Sequence, residues 1–247
     1  MNVLRHFKGY GWDGEHSGTY TDPISKKNRE FDLRLTKKFK HNTVWLSAEC
    51  KNIDPSFPLI VQAVQRKNNE AFHDIIHYSR NGFQPEVARS TLYSRYTAKV
   101  DDWVGKSFDQ IRLDKKKDEF VSNEGKTFDK MSQALNSAAG LLQRCFPSRD
   151  VGTAARYIIV PVLVIPDKCL WRLRYDETGN TIGEPIQVES IQYFVNQSWP
   201  LEIQGVSLEY TMSHLEIVTV SAIGHFVKSL INEDDPRSAF LFRLGSD

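Results

Sequence analysis

Long apolar runs are what this 247-residue chain most plainly lacks. No stretch approaches the roughly 18 apolar residues of a membrane-spanning helix. Met1-Asn2-Val3-Leu4-Arg5-His6 has no apolar centre of the kind a signal peptide needs, so a cytoplasmic protein with no membrane partner is expected. Cysteine is scarce too. Cys50, Cys145 and Cys169 make an odd count without a CxxC pair, which argues against structural zinc and a disulfide framework and for a reducing compartment. No GxxxxGK followed by Ser or Thr occurs, so nucleotide-powered chemistry is not indicated. Ser213-His214-x-Glu216 forms no nucleophile elbow, and nothing points to a serine or cysteine hydrolase. Internal repeats and low-complexity tracts are also absent.

What is present suits a globular fold. With 40% hydrophobic residues the chain can bury a core as one large domain, or as one domain with an insert. The net charge of +1 conceals an uneven distribution. Residues 1–60 carry 10 Lys and Arg against 7 Asp and Glu, residues 61–117 carry 11 against 7, and residues 167–247 carry 6 against 12. The candidate site and the segment after it are thus basic and the last third acidic, and a basic half fits a polyanionic ligand.

Two strand-forming runs lie in the basic half: Arg29-Glu30-Phe31-Asp32-Leu33-Arg34-Leu35, and Val44-Trp45-Leu46-Ser47-Ala48 leading into Glu49-Cys50-Lys51. Strand side chains alternate between faces. Val44, Leu46, Ala48 and Cys50 therefore share one side, with Trp45, Ser47, Glu49 and Lys51 on the other. In the first run Phe31, Leu33 and Leu35 oppose Glu30, Asp32, Arg34 and Thr36. The short basic stretch from Lys37 to Asn42 reads as a hairpin connection. Antiparallel pairing through it brings Asp32 close to Glu49 and Lys51. Two carboxylates form a hard-oxygen pair suited to Mg²⁺, and a lysine beside them can act on a water or a phosphate. The plain alternative is a half-exposed strand with an ordinary cross-strand ion pair. Asp114-Lys115-Lys116 and Glu124-Gly125-Lys126 follow no apolar strand and read as solvated surface.

Tyr20-Thr21-Asp22-Pro23, Arg29-Glu30-Phe31-Asp32 and Leu46-Ser47-Ala48-Glu49-Cys50-Lys51-Asn52 together resemble the core of the PD-(D/E)xK nucleases, the restriction-endonuclease-like superfamily. The resemblance spans about residues 12 to 53, with weaker agreement between 126 and 175. It implies an α/β fold with a mixed central sheet flanked by helices, and a metal-dependent phosphodiesterase acting on DNA. It implies Asp32 and Glu49 as carboxylates for Mg²⁺, with Mn²⁺ as a substitute. The Cys50 backbone carbonyl would be a further ligand and Lys51 the catalytic lysine. Members often carry an additional glutamate on a first helix. Residues 1–9 hold no acidic residue, which leaves Glu15 and Glu30 as substitutes. Gln133 resembles a glutamine that some members carry on a later helix, the bland reading being a polar surface residue.

Along the chain, a first strand is expected within Glu15–Asp22, followed by the two motif strands. Asp54-Pro55-Ser56-Phe57-Pro58 breaks the pattern, because prolines continue neither a ladder nor a helix. Residues 66–80, with Ala71, Phe72, Ile75, Ile76 and Ser79, have helical spacing, and residues 90–111 also read as helix. Residues 114–125 read as a charged loop. Phe128, Met131, Leu135, Ala138, Ala139 and Leu142 predict an amphipathic helix from Thr127 to Cys145. Residues 157–166 read as a buried strand. Leu170–Tyr175 and Ile186–Phe194 flank a hairpin at residues 176–180, and Leu215–Ser221 is the last strand before a helix over Ile223–Ile231. The order suits an α/β core over 1–53 and 126–247 with a helical insertion over 54–125.

That insertion mixes aromatic and basic residues, among them Tyr78, Tyr93, Trp103, Arg89, Arg95 and Lys99. One reading is a nucleic-acid clamp in which Arg89, Arg95 and Lys99 track phosphates; the other is a small lobe with aromatics in its own core. His73 and His77 stand four apart, a spacing that binds zinc on a helix, yet Asp74-Ile75-Ile76 between them supplies no zinc-hydrolase glutamate. Three functional expectations follow. The first is a Mg²⁺-dependent nuclease, with a homodimer or a defence-system partner as candidate company. The second is a nucleic-acid-binding module that kept the fold without catalysis. The third is a nuclease acting only inside a larger assembly, such as a prokaryotic restriction or phage-defence system, with the insertion and the acidic last third as its protein-interaction surface.

Overall fold

The computed structural model describes residues 3–39, 42–81, 84–93, 102–114, 119–122, 124–142 and 155–231. A short helix α1 (Val3–Gly9) precedes an antiparallel meander of β1 (Asp13–Thr21), β2 (Asn28–Phe39) and β3 (Asn42–Cys50). Five strands follow: β4 (Leu59–Gln65), β5 (Phe72–Asn81), β6 (Gln84–Tyr93), β7 (Trp103–Asp114) and β8 (Glu119–Ser122). Helix α2 (Glu124–Leu142) then leads to β9 (Ala155–Ile165). The chain continues through β10 (Leu170–Arg174), β11 (Ile186–Gln187), β12 (Ser190–Ile203), β13 (Val206–Thr219) and α3 (Ile223–Ile231).

These strands build one large mixed sheet, ordered β1-β2-β3-β9-β13-β12-β7-β4-β10-β11, with β5, β6 and β8 joining off that path. Its spine is β9, parallel to β3 from Asn42↔Arg156 to Cys50↔Val164 and parallel to β13 further on. The sequence of β9 is apolar at nearly every position because both faces of the sheet are covered there. Ile158, Val160, Val162 and Val164 pack under α1 and α3 with Val3, Phe7, Ile223 and Phe226. Ile159, Leu163 and Ile165 pack on the opposite face with Met131, Leu135, Ala138 and Leu142 of α2. Each such Val, Ile, Leu, Met or Phe side chain, fully buried, contributes about 1.5–3 kcal/mol. The fold class is thus α/β, as expected. Among the described residues no helix is long and apolar enough to cross a membrane.

The expected helical insertion is not helical where it is described. Residues 66–80 hold a single turn of 3₁₀ helix (Asn68–Glu70) and then β5, and residues 90–111 hold the end of β6 and most of β7. The misleading feature is the adjacent pair Ile75-Ile76. Ile75 packs under α1 and α3, and Ile76 packs with α2. A strand buried on both faces loses its alternation, and its apolar spacing then mimics a helix. Nor are residues 54–125 a separate lobe: β4 and β7 lie inside the main sheet between β12 and β10, and β5 pairs with β9. The expected loop at 114–125 contains β8 and the first residues of α2. Phe128, counted on the apolar face of α2, is 61% exposed.

Candidate active site

Register places the first two site residues. Leu33↔Ala48 is the last paired rung of β2 and β3 before the sheet end, so the next sets Asp32 across from Glu49. Two reciprocal contacts lock that position: Cys50 N–H donates to Asp32 Oδ2 at 2.8 Å, and Asp32 N–H donates to Glu49 Oε1 at 3.4 Å. Trp45, Ser47 and Glu49 alternate with Val44, Leu46 and Ala48, and the latter three fill the core under α1 and α3. Glu49 thereby points to the α2 side, where it is completely buried, while the Asp32 side chain is 38% exposed.

A residue outside the sequence motif, Lys130, joins the pair. Lys130 of α2 reaches down so that its Nζ stands 3.0 Å from Glu49 Oε2 and 3.2 Å from Asp32 Oδ2. Two anchors hold α2 over β2: Gln133 Nε2 donates to the Glu30 carbonyl at 2.7 Å, and Arg34 Nη2 donates to the Ser137 carbonyl at 3.3 Å. Positions 130, 133 and 137 fall on one stripe of the helix. Gln133 stands out in the sequence, and helical spacing from it reaches its i−3 neighbour Lys130. Burial raises the Glu49 carboxyl to about 7, with Asp32 adding repulsion and Lys130 opposing both. Burial alone would lower the Lys130 ammonium, but Glu49 and Asp32 outweigh it and raise it.

Lys51 follows β3 directly, its N–H bound to the Val164 carbonyl at 2.9 Å. It shares with Asp32, His16, Asn52 and Leu4 the wall of an open cavity of about 910 Å³ at the ends of β3 and β9. Glu49 does not line that cavity; it lies behind Asp32 beneath Lys130. The Cys50 side chain is a packing residue, and burial pushes its thiol up to about 12. Because a strand residue turns its N–H and C=O to the same side, the Cys50 carbonyl faces the β2 side with Asp32. On β1 the ladder skips the rung between His16↔Leu33 and Gly18↔Phe31, where Ser17 lies across from Asp32 with φ of 56°. A left-handed residue other than glycine is strained, and such strain gathers at functional sites.

The remaining candidates fall outside this cluster or serve the fold. Glu15 is exposed on β1 opposite Arg34, and Glu30 is exposed on β2, contributing its carbonyl to Gln133. Asp22 of the Tyr20-Thr21-Asp22-Pro23 segment is buried. It caps a turn by accepting from Ile24 N–H and Ser25 N–H, and it pairs with Arg29. Those hydrogen bonds overcome the raising effect of burial and hold its carboxyl below the usual range. Arg89 binds the buried Asp74 on the neighbouring strand at 3.3 Å; Arg95 and Lys99 lie outside the described residues. Tyr78 is buried in the main core. His73 and His77 sit on strand β5 rather than a helix, which separates them by about 13 Å and rules out a shared ion.

The donor chemistry of Asp32 and Glu49 suits a hard divalent cation, since the two carboxylates already share one ammonium. Among the described residues no group of three or more His, Cys, Asp or Glu side chains is placed to hold a metal. An ion here would complete its shell from a backbone carbonyl, water and substrate oxygens, as Mg²⁺ usually does. In comparisons with known proteins, no family model, no curated protein and no solved structure matches this chain.

Proposed function

We propose that this chain is a Mg²⁺-dependent nuclease of the PD-(D/E)xK type that hydrolyses phosphodiester bonds, DNA first. The observation that carries this reading is the meeting of Asp32 and Glu49 around a single cationic centre at the open end of β3. A meander joined in parallel by β9 and lying between α1 and α2 also agrees with the mixed, helix-flanked sheet that the resemblance implies.

Asp32 and Glu49 would hold the ion, which when bound supplies a polarised phosphate and a water of lowered pKa. Asp32 presents the exposed half of the pair to the cavity, and Glu49 supplies a carboxylate shielded from solvent, where electrostatic effects are strongest. Lys51, on the cavity wall, orients the water or offsets charge that builds on the phosphate. Lys130 keeps the carboxylates together against their mutual repulsion. The same ammonium favours a second reading, a nucleic-acid-binding or partner-dependent module, because it already offsets one of the pair's two negative charges.

The test is incubation with plasmid DNA, RNA and single strands in Mg²⁺, Mn²⁺ or EDTA, alongside Glu49→Ala and Lys51→Ala. Metal-dependent cutting that falls on the order of 10²-fold or more in both variants is expected. Cutting that persists in EDTA would remove the metal from the scheme, and full activity of Lys51→Ala would remove that lysine. Intact substrates under every condition would favour the second reading.

A further inference from the structure

A second cavity, of about 380 Å³, lies between α3 and strands β12 and β13. Its wall includes Val44, Ile158 and Val160, so it opens on the face of the sheet away from Glu49 and Lys130. The volume falls in the range of small-molecule sites.

Its floor is a buried polar relay. Arg66 is 2% exposed and donates to Gln192 Oε1 at 2.5 Å; Gln192 Nε2 donates in turn to Glu216 Oε1 at 2.6 Å. Glu216 is 7% exposed. Burying a guanidinium and a carboxyl is costly, and an apolar floor would serve the fold at least as well. Ionisable groups buried at such a cost gather in binding and catalytic pockets.

Two guanidinium groups, Arg66 and Arg172, face the cavity. Arg172 and Arg174 stand two apart on β10 and therefore on one face of it. Arg172 lines the cavity, and Arg174 lies over the ring of Trp103, which also lines it, 5.4 Å from the centroid. Among the described residues neither forms an ion pair, and the Nε of each is buried without a hydrogen-bond partner. Burial, then the neighbouring Arg174, lowers the Arg172 guanidinium from its usual value, a cost that an anion would relieve. The facing carboxyls are Glu216, which burial raises to about 7, and Asp102, exposed at the rim. His73 also lines the cavity and is neutral, burial having lowered it to about 4.

We propose that this cavity binds a phosphate-bearing molecule with a planar ring, of nucleoside monophosphate size. Arg66 and Arg172 hold the phosphate, Trp103 takes the ring, and Gln192 with Glu216 contacts the ring edge through one donor and one acceptor. The site stands independently of the nuclease reading, since it shares no residue with Asp32, Glu49, Lys51 or Lys130.

Calorimetric titration of the full chain in EDTA tests it, with AMP, GMP, CMP and UMP compared with inorganic phosphate and with adenosine. At least one monophosphate should bind one site per chain about tenfold more tightly than phosphate or the nucleoside. Arg172→Ala should weaken that binding about tenfold or more, and Asp32→Ala should leave it unchanged. Should Arg172→Ala lose its circular-dichroism signature, Arg172→Lys, which keeps the charge but not the fork, supplies the comparison. Four results would overturn the proposal: no monophosphate binding at millimolar concentration, equal affinity for phosphate alone, full binding by the Arg172 variants, or loss of binding in Asp32→Ala.

Discussion

Lys130 Nζ stands 3.0 Å from Glu49 Oε2, so a completely buried carboxylate is held by a helix residue 81 positions further along the chain. The arrangement explains how Glu49 and Asp32 share one corner of the sheet. It also makes Lys130 the residue whose removal says most about the site.

Lys130→Met should leave Glu49 buried beside Asp32 with its cation gone. Chemical unfolding in urea should show a loss on the order of 1–3 kcal/mol. Added Mg²⁺ should then raise the melting temperature of the variant more than that of the parent, because an ion that binds only the folded state stabilises it by mass action. Equal stability and an equal Mg²⁺ response would show that Lys130 is incidental to the carboxylate pair.

Ser17 offers a test of stored strain. Its φ of 56° suits glycine, so Ser17→Gly should gain about 1 kcal/mol, and Ser17→Val should lose at least as much. The two melting temperatures measure this directly. A destabilised glycine variant would mean that the serine side chain, which contacts His16 Nδ1 at 3.2 Å, matters more than the backbone conformation.

Arg89 is expected to serve stability rather than nucleic-acid binding. Its partner Asp74 is buried and also accepts from Thr91 Oγ1 and Thr211 N–H, so Arg89→Ala removes one contact of several. With the arginine side chain 38% exposed, the cost should be about 1 kcal/mol or less. Fluorescence anisotropy with a labelled duplex should show unchanged affinity; a marked loss would restore Arg89 to the clamp.

The stability of the protein should depend on pH through Glu216 and His73 in opposite senses. The folded value of Glu216, about 7, lies above the ordinary glutamate value, so its contribution is complete in acid and is lost as pH rises towards 7. The folded value of His73, about 4, lies below the ordinary histidine value, so its contribution is present at neutral pH and is lost as pH falls towards 4. Glu216→Gln removes only the first. Urea unfolding from pH 5 to 8 should show the variant gaining on the parent by up to about 1.4 kcal/mol per pH unit. Parallel stability curves would show that Glu216 is ionised throughout.

The motif hairpin was legible because its physics is local. Phe31, Leu33 and Leu35 alternate with polar neighbours, as do Val44, Leu46 and Ala48, and a short connection leaves one sensible register. That register sets Asp32 across from Glu49. The β9 run and the α2 stripe were equally plain, since one is apolar throughout and the other repeats at helical spacing. Residues 66–80 failed for the opposite reason: β5 is covered on both faces, and Ile75-Ile76 carries no period of two. Lys130 is not marked as a site residue by sequence alone, because a lysine on an amphipathic helix looks like any solvated charge until the helix is docked.

Alternation and chain connectivity alone therefore determined the α/β class, the pairing of β2 with β3 and the closeness of the two carboxylates. Tertiary structure decided which cation answers them, how deeply Glu49 is buried, and that Arg66, Arg172 and Glu216 meet around one cavity. Those facts depend on contacts between segments tens to more than a hundred residues apart, where packing and desolvation, rather than local periodicity, select the arrangement.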